Sequence, residues 1–442
     1  MSTKNKNYAL PIAIMFALFF MIAFVTGYQN PLGKTIEKMT GDNVIMTQLG
    51  TFANFLAYLI MGIPAGMMLG RIGYRKTALW AVTVGFLGVL ITYLSGFIEN
   101  DNTTAVAVYI LGAFVAGFSM TMLNTVVNPM LNSLGKNQNQ GNQLVQFGGT
   151  CNSLGATLAP AIVGGLIGGA ASTISAANPV FYMAMAIFFA AFLVLYFTKL
   201  PEPKDLGKDN GVKVGGALKF RHFVFGMLAI FCYVGIEVGV ANWTTQYLDK
   251  SEIVNQFNTR DSMTIAGSVC AVYWLFMLIG RFLGGAIGSK VSSRAMLTTT
   301  SLLAIVLLCC GIFLNESKMA FFGFDVRTLS FFNCTIPVNA ICFVCVGLCT
   351  SVQWGAIFNL AVEGLGKYTQ VASGLFMMMV CGGGILPFIQ GTVAGDSIIG
   401  SFIIPVILSA YLLSYALIFS RPSKKLMDKP ETLYENGKAV KA

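Results

Sequence analysis

Twelve long apolar runs restrict the fold of this 442-residue chain more than any other feature of its sequence. A helix of about 20 apolar residues spans the hydrocarbon core of a bilayer. Only 10% of the residues are charged, whereas soluble domains carry about 25%. The pattern predicts an all-α integral membrane protein with twelve transmembrane helices, which we number in chain order. The runs lie at residues 9–30, 44–70, 77–98, 104–134, 141–169, 178–198, 221–248, 262–289, 295–315, 333–363, 369–394 and 397–419.

The basic residues indicate how the chain is oriented in the membrane. A net charge of +10 is compatible with a nucleic-acid partner, but the positions of the 28 Lys and Arg residues favour a different cause. Of these, 21 lie in segments on the side of the N-terminus, six lie on the other side, and Arg281 lies within a run. Because Lys and Arg concentrate in cytoplasmic loops, we expect a bacterial inner (plasma) membrane protein with both termini in the cytoplasm. We expect the lipid bilayer as a partner, and no nucleic acid.

A polar stretch from Lys199 to Lys219 separates the first six runs from the last six. Its Pro, Gly and mixed charges are typical of a flexible linker. We therefore predict four regions: an N-terminal six-helix bundle at 1–198, a cytoplasmic linker at 199–220, a C-terminal six-helix bundle at 221–420 and a cytoplasmic tail at 421–442.

The two halves share short motifs at corresponding places. Helix 4 ends in "NPMLNSLGK", which begins at Asn128, and helix 10 ends in "NLAVEGLGK", which begins at Asn359. A weaker pair of matching segments follows helices 2 and 8. These matches indicate an ancient duplication. Two parallel six-helix halves are the layout of the major facilitator fold, in which substrate binds between the halves near the bilayer midplane.

Helices 5 and 11 are the richest in glycine. Small residues allow helices in a membrane to pack closely. Glycine is also tolerated where a membrane helix bends and its neighbours satisfy the backbone. Both interpretations stay open, although the occurrence in matching helices of the two halves favours a bending role as well.

Glu237 is the one carboxylate well inside an apolar run. An ionisable side chain in the bilayer is costly and usually marks function. One interpretation is that Glu237 couples an ion to transport or contacts a substrate. The other is that it only pairs with a buried cation, for which Arg281 is the candidate. Arg281 lies nearer the cytoplasmic end, and we expect a structural side chain that extends its stem to the cytoplasmic surface.

The segment from Pro64 to Thr77, "PAGMMLGRIGYRKT", resembles the cytoplasmic signature between helices 2 and 3 of major facilitator transporters. That signature normally has an acidic residue just before its first arginine, and this chain has Gly70 there. The resemblance implies a cytoplasmic gate, to which we assign the remaining basic side chains Arg71, Arg75 and Lys76.

Longer stretches resemble the fucose:proton symporter family of sugar transporters. They occur in the order of the family and extend over nearly the whole membrane region. The resemblance implies cation-coupled uptake of a monosaccharide. The matching stretches are "NTVVNP" (124–129), "NSLGATLAP" (152–160), "FCYVGIEVG" (231–239), "YWLFMLIGRFLGG" (273–285), "IFNLAVEGLGKYTQ" (357–370) and "GGGILPFIQG" (382–391).

The departures from this family concern its two membrane carboxylates, which lie in helices 1 and 4. The matching positions here are Asn30 and Asn124. An amide hydrogen-bonds a sugar hydroxyl but carries no proton, so the proton route of the fucose symporter does not transfer to this chain. The aromatic side chain that contacts the sugar in helix 10 is preserved in kind as Trp354.

Neutral polar side chains in helices 1, 4, 5, 7 and 10 complete the predicted sugar site. Single amides in a membrane often only join neighbouring helices, but the number of them favours a site. Asn124 and Asn128 are four residues apart and therefore share one helix face. The predicted substrate-binding residues are Asn30, Asn124, Asn128, Asn152, Asn242, Trp354 and Asn359.

We therefore predict a monosaccharide:cation symporter that works by alternating access, with Glu237 as the ion-coupling residue. The co-transported ion is H⁺ or Na⁺, and we expect a monomer with no prosthetic group, no metal site and no enzymatic activity. The ten cysteines lie in or beside apolar runs without metal-ligand spacing, which is typical of free thiols. The alternatives are an uncoupled carrier or an exporter of another small polar solute, a membrane enzyme, or a sensor built on an inactive transporter.

Overall fold

The computed structural model is almost entirely helical, and its helices follow the twelve apolar runs. Among the described residues, nine helices are long and apolar enough to cross a membrane. One of them, Leu49–Ser95, is 47 residues long and contains helices 2 and 3. Helices 1 and 5 complete the set of twelve. The described residues are 8–27, 32, 35–36, 39–40, 49–98, 101–135, 138–167, 173–202, 214–260, 262–314, 317–325, 330–394 and 397–422.

Most of the helices are continuous across the bilayer. Short helices at Val214–Ala217 and Glu252–Phe257 precede and follow helix 7. The continuous helices are helix 1 (Ala9–Gly27), helix 4 (Asn102–Leu134), helix 5 (Gln138–Ile167), helix 6 (Asn178–Phe197), helix 7 (Arg221–Lys250), helix 8 (Ser262–Ile287) and helix 9 (Ser293–Phe313).

The last three helices are interrupted. Helix 10 has two parts, Asn339–Thr350 and Gln353–Val362. Helix 11 runs from Thr369–Met378 through a 3₁₀ turn at Met379–Cys381 to Gly382–Val393. Helix 12 combines Ile398–Ser401 and Ile403–Ser414 with a π-helical turn at Tyr415–Phe419.

Gly73 separates helix 2 from helix 3 within Leu49–Ser95. Its backbone has φ 85° and ψ 178°, a conformation that side chains with a Cβ rarely adopt. A single straight helix of this length would extend about 70 Å, more than twice the hydrocarbon thickness of a bilayer. The glycine therefore permits the break that makes two membrane helices out of one apolar region.

A β-hairpin lies between helices 9 and 10, and the end of its second strand occupies residues that were expected to begin helix 10. Strands β1 (Lys318–Asp325) and β2 (Ser330–Pro337) pair antiparallel, with Phe321 opposite Cys334. The predicted run at 333–363 was therefore wrong at its start, because helix 10 begins at Asn339. From Ser330 to Ile336 less and more exposed residues alternate along β2, and this period of two is typical of a half-buried strand. The length of an apolar run carries no information about that period.

Helices 2 and 11 approach each other through their glycines. A Cβ at Gly62 would lie 2.7 Å from the carbonyl oxygen of Gly374, and a Cβ at Gly374 would lie 2.4 Å from that of Gly62. Close packing therefore accounts for Gly374, and the 3₁₀ turn interrupts helix 11 just beyond it. A bending role in gating stays a prediction.

Candidate functional site

The N-terminal half contributes a buried amide pair on helix 4. The Nδ2 of Asn124 donates to the hydroxyl of Tyr58 on helix 2 at 3.0 Å and to the carbonyl of Met120 at 3.1 Å. One turn later, the Nδ2 of Asn128 donates to the carbonyl of Asn124 at 2.9 Å. The two amides therefore share a helix face, as their spacing predicts, and their side chains are fixed by hydrogen bonds.

Trp354 connects this pair to the C-terminal half. Its indole Nε1 donates to the Oδ1 of Asn128 at 3.1 Å. The indole packs edge-on against Tyr233 of helix 7 and Phe376 of helix 11, with ring centroids 6.0 and 6.2 Å apart. A hydrogen bond between helices 4 and 10 thus joins the two halves at the residue that the family resemblance assigns to the sugar.

Glu237 forms an ion pair with Arg281. The distance from Arg281 Nη2 to Glu237 Oε1 is 3.2 Å, and the side chains are 8% exposed for Arg281 and 14% for Glu237. The same Nη2 donates to the hydroxyl of Tyr233 at 3.3 Å, while the hydroxyl of Tyr273 donates to the backbone carbonyl of Glu237 at 3.1 Å. Because the pair is shielded from water, removal of one partner leaves an uncompensated buried charge.

Arg281 does not extend to the cytoplasmic surface, so that prediction was wrong. Its Nη1 instead donates across the interface between the halves to helix 5, at 2.8 Å to the hydroxyl of Ser153 and 3.1 Å to the carbonyl of Gly149, and lies 3.5 Å from Asn152 Oδ1. Its Nε donates to the carbonyl of Ser351 at 3.2 Å. Protein acceptors thus surround the guanidinium, which removes the physical reason for the side chain to seek water.

The remaining predicted amides have different surroundings. Asn152 donates through Nδ2 to the carbonyl of Phe19 at 3.0 Å, which ties helix 5 to helix 1. Asn359 is buried and donates to the hydroxyl of Ser293 at the start of helix 9, at 2.8 Å. Asn242 is half-buried on helix 7, and Asn30 lies outside the described residues. Sugar binding by each of these residues stays a prediction.

Of the three basic residues assigned to the cytoplasmic gate, Arg75 contacts the end of helix 6 and the start of the linker. The guanidinium of Arg75 donates to the carbonyls of Leu195, at 3.0 Å from Nε, and Tyr196 at the end of helix 6. The backbone N–H groups of Tyr74 and Arg75 donate to the Glu202 carboxylate at 2.7 and 2.8 Å. The other two members, Arg71 and Lys76, are exposed. A gating role for these side chains stays a prediction.

Sequence reasoning missed the tyrosines of this site. Tyr58 is hydrogen-bonded to Asn124, and Tyr233 contacts both Trp354 and Arg281. A usable signal was present for Tyr233, because it precedes Glu237 by four residues and therefore shares its helix face. Tyr58 carries no comparable signal, since its partner lies 66 residues away along the chain.

The site contains groups that can bind a small polyol and, beside them, a pair of charged side chains. Amide and hydroxyl groups can donate to and accept from sugar hydroxyls, and the indole of Trp354 offers an apolar face to C–H groups. Glu237 and Arg281 lie next to these groups, connected to Trp354 through Tyr233. In the part of the chain that the structure describes, no group of three or more His, Cys, Asp and Glu side chains could hold a metal ion.

Known proteins are similar to this chain over nearly its full length. It is 28% identical over 430 residues to the glucose/galactose transporter of Brucella abortus, covering 95% of this chain and 96% of that protein. It is 29% identical over 437 residues to the putative glucose/galactose transporter of Helicobacter pylori, covering 94% and 97%. The crystal structure of the Escherichia coli fucose:proton symporter FucP superposes with a TM-score of 0.75 at 21% identity, covering 94% of this chain and all of that one.

The fold and the family agree. The structural match supports the major facilitator fold that the sequence predicts, with twelve transmembrane helices. The family model described as the Major Facilitator Superfamily matches residues 14–388, which is most of the chain. The chain therefore belongs to the Major Facilitator Superfamily, and it is a transporter, not an enzyme.

Proposed function

We propose that this protein is a symporter that carries a monosaccharide together with a proton by alternating access of its two halves. The observation that carries the proposal is the polar cluster between the halves, in which Trp354 is hydrogen-bonded to Asn128 and is linked through Tyr233 to the Glu237–Arg281 ion pair. Polar groups in a membrane interior face a functional cavity or one another. A site built across the interface can be exposed to either side when the halves rock.

The substrate class follows from the neutral half of the cluster. A hexose needs several donors and acceptors and one apolar surface, and the set of Tyr58, Asn124, Asn128 and Trp354 supplies these. The relatives from Brucella abortus and Helicobacter pylori carry the name glucose/galactose transporter. We therefore propose D-glucose and D-galactose as the first substrates to test, with L-fucose as the comparison.

A proton suits Glu237 better than sodium does. A sodium ion bound at this carboxylate would lie beside the guanidinium of Arg281, which repels it, since Arg281 Nη2 is only 3.2 Å from Glu237 Oε1. A proton instead neutralises the carboxylate and releases Arg281 from the pair. The solved relative is also named as a proton symporter. Proton coupling at Glu237 is therefore our proposal, and sodium is the alternative that the transport assay tests.

Transport into proteoliposomes tests this function directly. Purified protein is reconstituted, and uptake of labelled glucose, galactose and fucose is measured under an inward proton gradient alone, an inward sodium gradient alone, and no gradient. We expect glucose or galactose to accumulate above the equilibrium level only with the proton gradient. Accumulation with sodium alone would overturn proton coupling, and equilibration without accumulation would identify an uncoupled carrier.

We further propose that the protein acts as a monomer in the bacterial inner membrane with both termini in the cytoplasm. The distribution of basic residues supports this orientation. A cysteine introduced at Asp209 should react with an impermeant thiol reagent only from the cytoplasmic side, and one at Asn102 only from outside. The reverse labelling would contradict the orientation.

A further inference from the structure

Helix 5 makes a second contact with the C-terminal half, one turn before the site of Arg281. Gln146 is 2% exposed, and its Nε2 donates to the carbonyl of Val352 at 2.9 Å. Gln146 lies eight residues after the start of helix 5 at Gln138, which is about 12 Å along the helix axis. In the proposed orientation this contact is in the cytoplasmic half of the membrane, at the level of Trp354, since Val352 and Gly355 flank that residue on helix 10.

The acceptor of this bond lies at the interruption of helix 10. Regular helix stops at Thr350 and resumes at Gln353, and Val352 has φ −96° and ψ −10°. Ser351 and Val352 keep right-handed helical angles, and the Val352 carbonyl also accepts from the backbone N–H of Ala356 at 3.1 Å. Ser351 accepts from Nε of Arg281, and Val352 accepts from Gln146.

Each half therefore donates hydrogen bonds to acceptors in the other half. Gln146 of the N-terminal half donates to helix 10, and Arg281 of the C-terminal half donates to Gly149 and Ser153 of helix 5. Neither of these crossing bonds is an ion pair. They are buried, so salt screens them little. A donor or acceptor that loses its partner while the halves stay closed is buried without a hydrogen bond, which costs its full desolvation free energy.

Glycines provide the space for this contact. A Cβ at Gly355 would lie 2.7 Å from Nε2 of Gln146, and a Cβ at Gly284 would lie 2.3 Å from Cγ1 of Val352. Helices 5, 8 and 10 can therefore approach closely at one level. The same geometry means that one added methyl group at Gly355 must displace the end of the Gln146 side chain.

We propose that Gln146 and Arg281, with the carbonyls of Ser351 and Val352, form a buried gate that closes the cytoplasmic side of the transporter. This gate is separate from the basic cluster predicted at residues 71–76. The gate rests on the alternating access proposed above. Opening toward the cytoplasm requires helices 5 and 10 to separate, so it breaks the Gln146–Val352 bond and the bonds from Arg281 to helix 5. Arg281 also pairs with Glu237, which places the ion-coupling residue in direct contact with a member of the gate.

Hydrogen–deuterium exchange of the full chain in lipid nanodiscs tests the gate without any substrate. Gln146→Met keeps the length of the side chain and removes its donor. We expect peptides covering 138–150 and 281–290 to exchange about fivefold faster, the change in opening equilibrium that corresponds to one net hydrogen bond. The matched control is Gln143→Met, because Gln143 has no hydrogen bond across the interface among the described residues. It should exchange like the unmodified protein.

Gly355→Ala is a second and independent variant. It changes neither member of the Gln146–Val352 bond but displaces the Gln146 amide, and it should accelerate exchange in the same two peptides. If Gln146→Met also accelerates exchange in distant segments such as 403–414 of helix 12, that variant is destabilised throughout. The test of the gate then rests on Gly355→Ala alone. Unchanged exchange in Gly355→Ala, or an equal effect of Gln143→Met, would overturn the gate. Because no sugar is used, either result leaves the symport proposal to be judged by uptake alone.

Discussion

The two halves of the protein contribute different chemistry to the site between them. The described residues of the N-terminal half supply neutral groups, namely Tyr58, Asn124 and Asn128, whereas the C-terminal half supplies the Glu237–Arg281 ion pair and the indole of Trp354. The resemblance to the fucose symporters implies carboxylates in helices 1 and 4, and this chain has Asn30 and Asn124 there. Under the proposed function, hydrogen bonding to the sugar would belong mainly to the N-terminal half and coupling to the ion to the C-terminal half.

Replacement of Glu237 should have the largest effect, because it removes the charge on which this division depends. Glu237→Gln should abolish accumulation of sugar against a gradient while sparing counterflow exchange. It also leaves Arg281 as a buried unpaired cation, so the variant should lose about 3–5 kcal/mol of stability. Uptake and counterflow in proteoliposomes, together with thermal unfolding in detergent, measure both effects.

The double variant Glu237→Gln/Arg281→Gln serves as the control for that experiment. It removes both charges and should recover part of the lost stability but none of the accumulation. If Glu237→Gln still concentrates sugar under the proton gradient, coupling resides elsewhere and the assignment of the charged function to the C-terminal half fails.

Replacement of Trp354 should have an effect of intermediate size, on the affinity for sugar. Trp354→Ala removes the aromatic face and the donor to Asn128, and it should weaken sugar binding by about 1–3 kcal/mol. Trp354→Phe restores a ring without the N–H group and should recover part of this loss. Isothermal titration calorimetry on purified protein measures both affinities. Equal affinity of Trp354→Ala and the unmodified protein would separate the sugar from this residue.

The repeated asparagines at the ends of helices 4 and 10 give the smallest and sharpest comparison. Asn128 bonds across the interface to Trp354, whereas Asn359 bonds to Ser293 within its own half. Asn128→Ala should weaken sugar binding about fivefold, the scale of one net hydrogen bond. Asn359→Ala should change affinity less than twofold and mainly lower the unfolding temperature.

Calorimetry on the Asn128→Ala and Asn359→Ala variants tests whether Asn359 contacts the sugar or only stabilises its own half. A direct sugar contact by Asn359, which the sequence predicts, would give a loss of affinity as large as that of Asn128→Ala.

Much of the membrane topology follows from the sequence, because it depends on local properties. The apolar length of a run and the spacing of Asn124 and Asn128 are both read along one helix. The same approach failed at residues 333–337, where the apolar run continues but the backbone forms β2. Composition alone does not separate a strand from the start of a helix when the run is long enough for both.

The sequence by itself determined the class of protein, the twelve apolar helices and the isolation of Glu237, since burying a charge or a polar backbone in lipid is costly wherever the helices pack. Only the tertiary structure decided which groups face one another. Trp354 and Asn128 are 226 residues apart in the chain, and Arg281 meets Gly149 across 132. Such contacts depend on the relative rotation and depth of packed helices, which no local pattern specifies. For that reason the direction in which Arg281 extends was predicted wrongly, and its contact with helix 5 was found only in the structure.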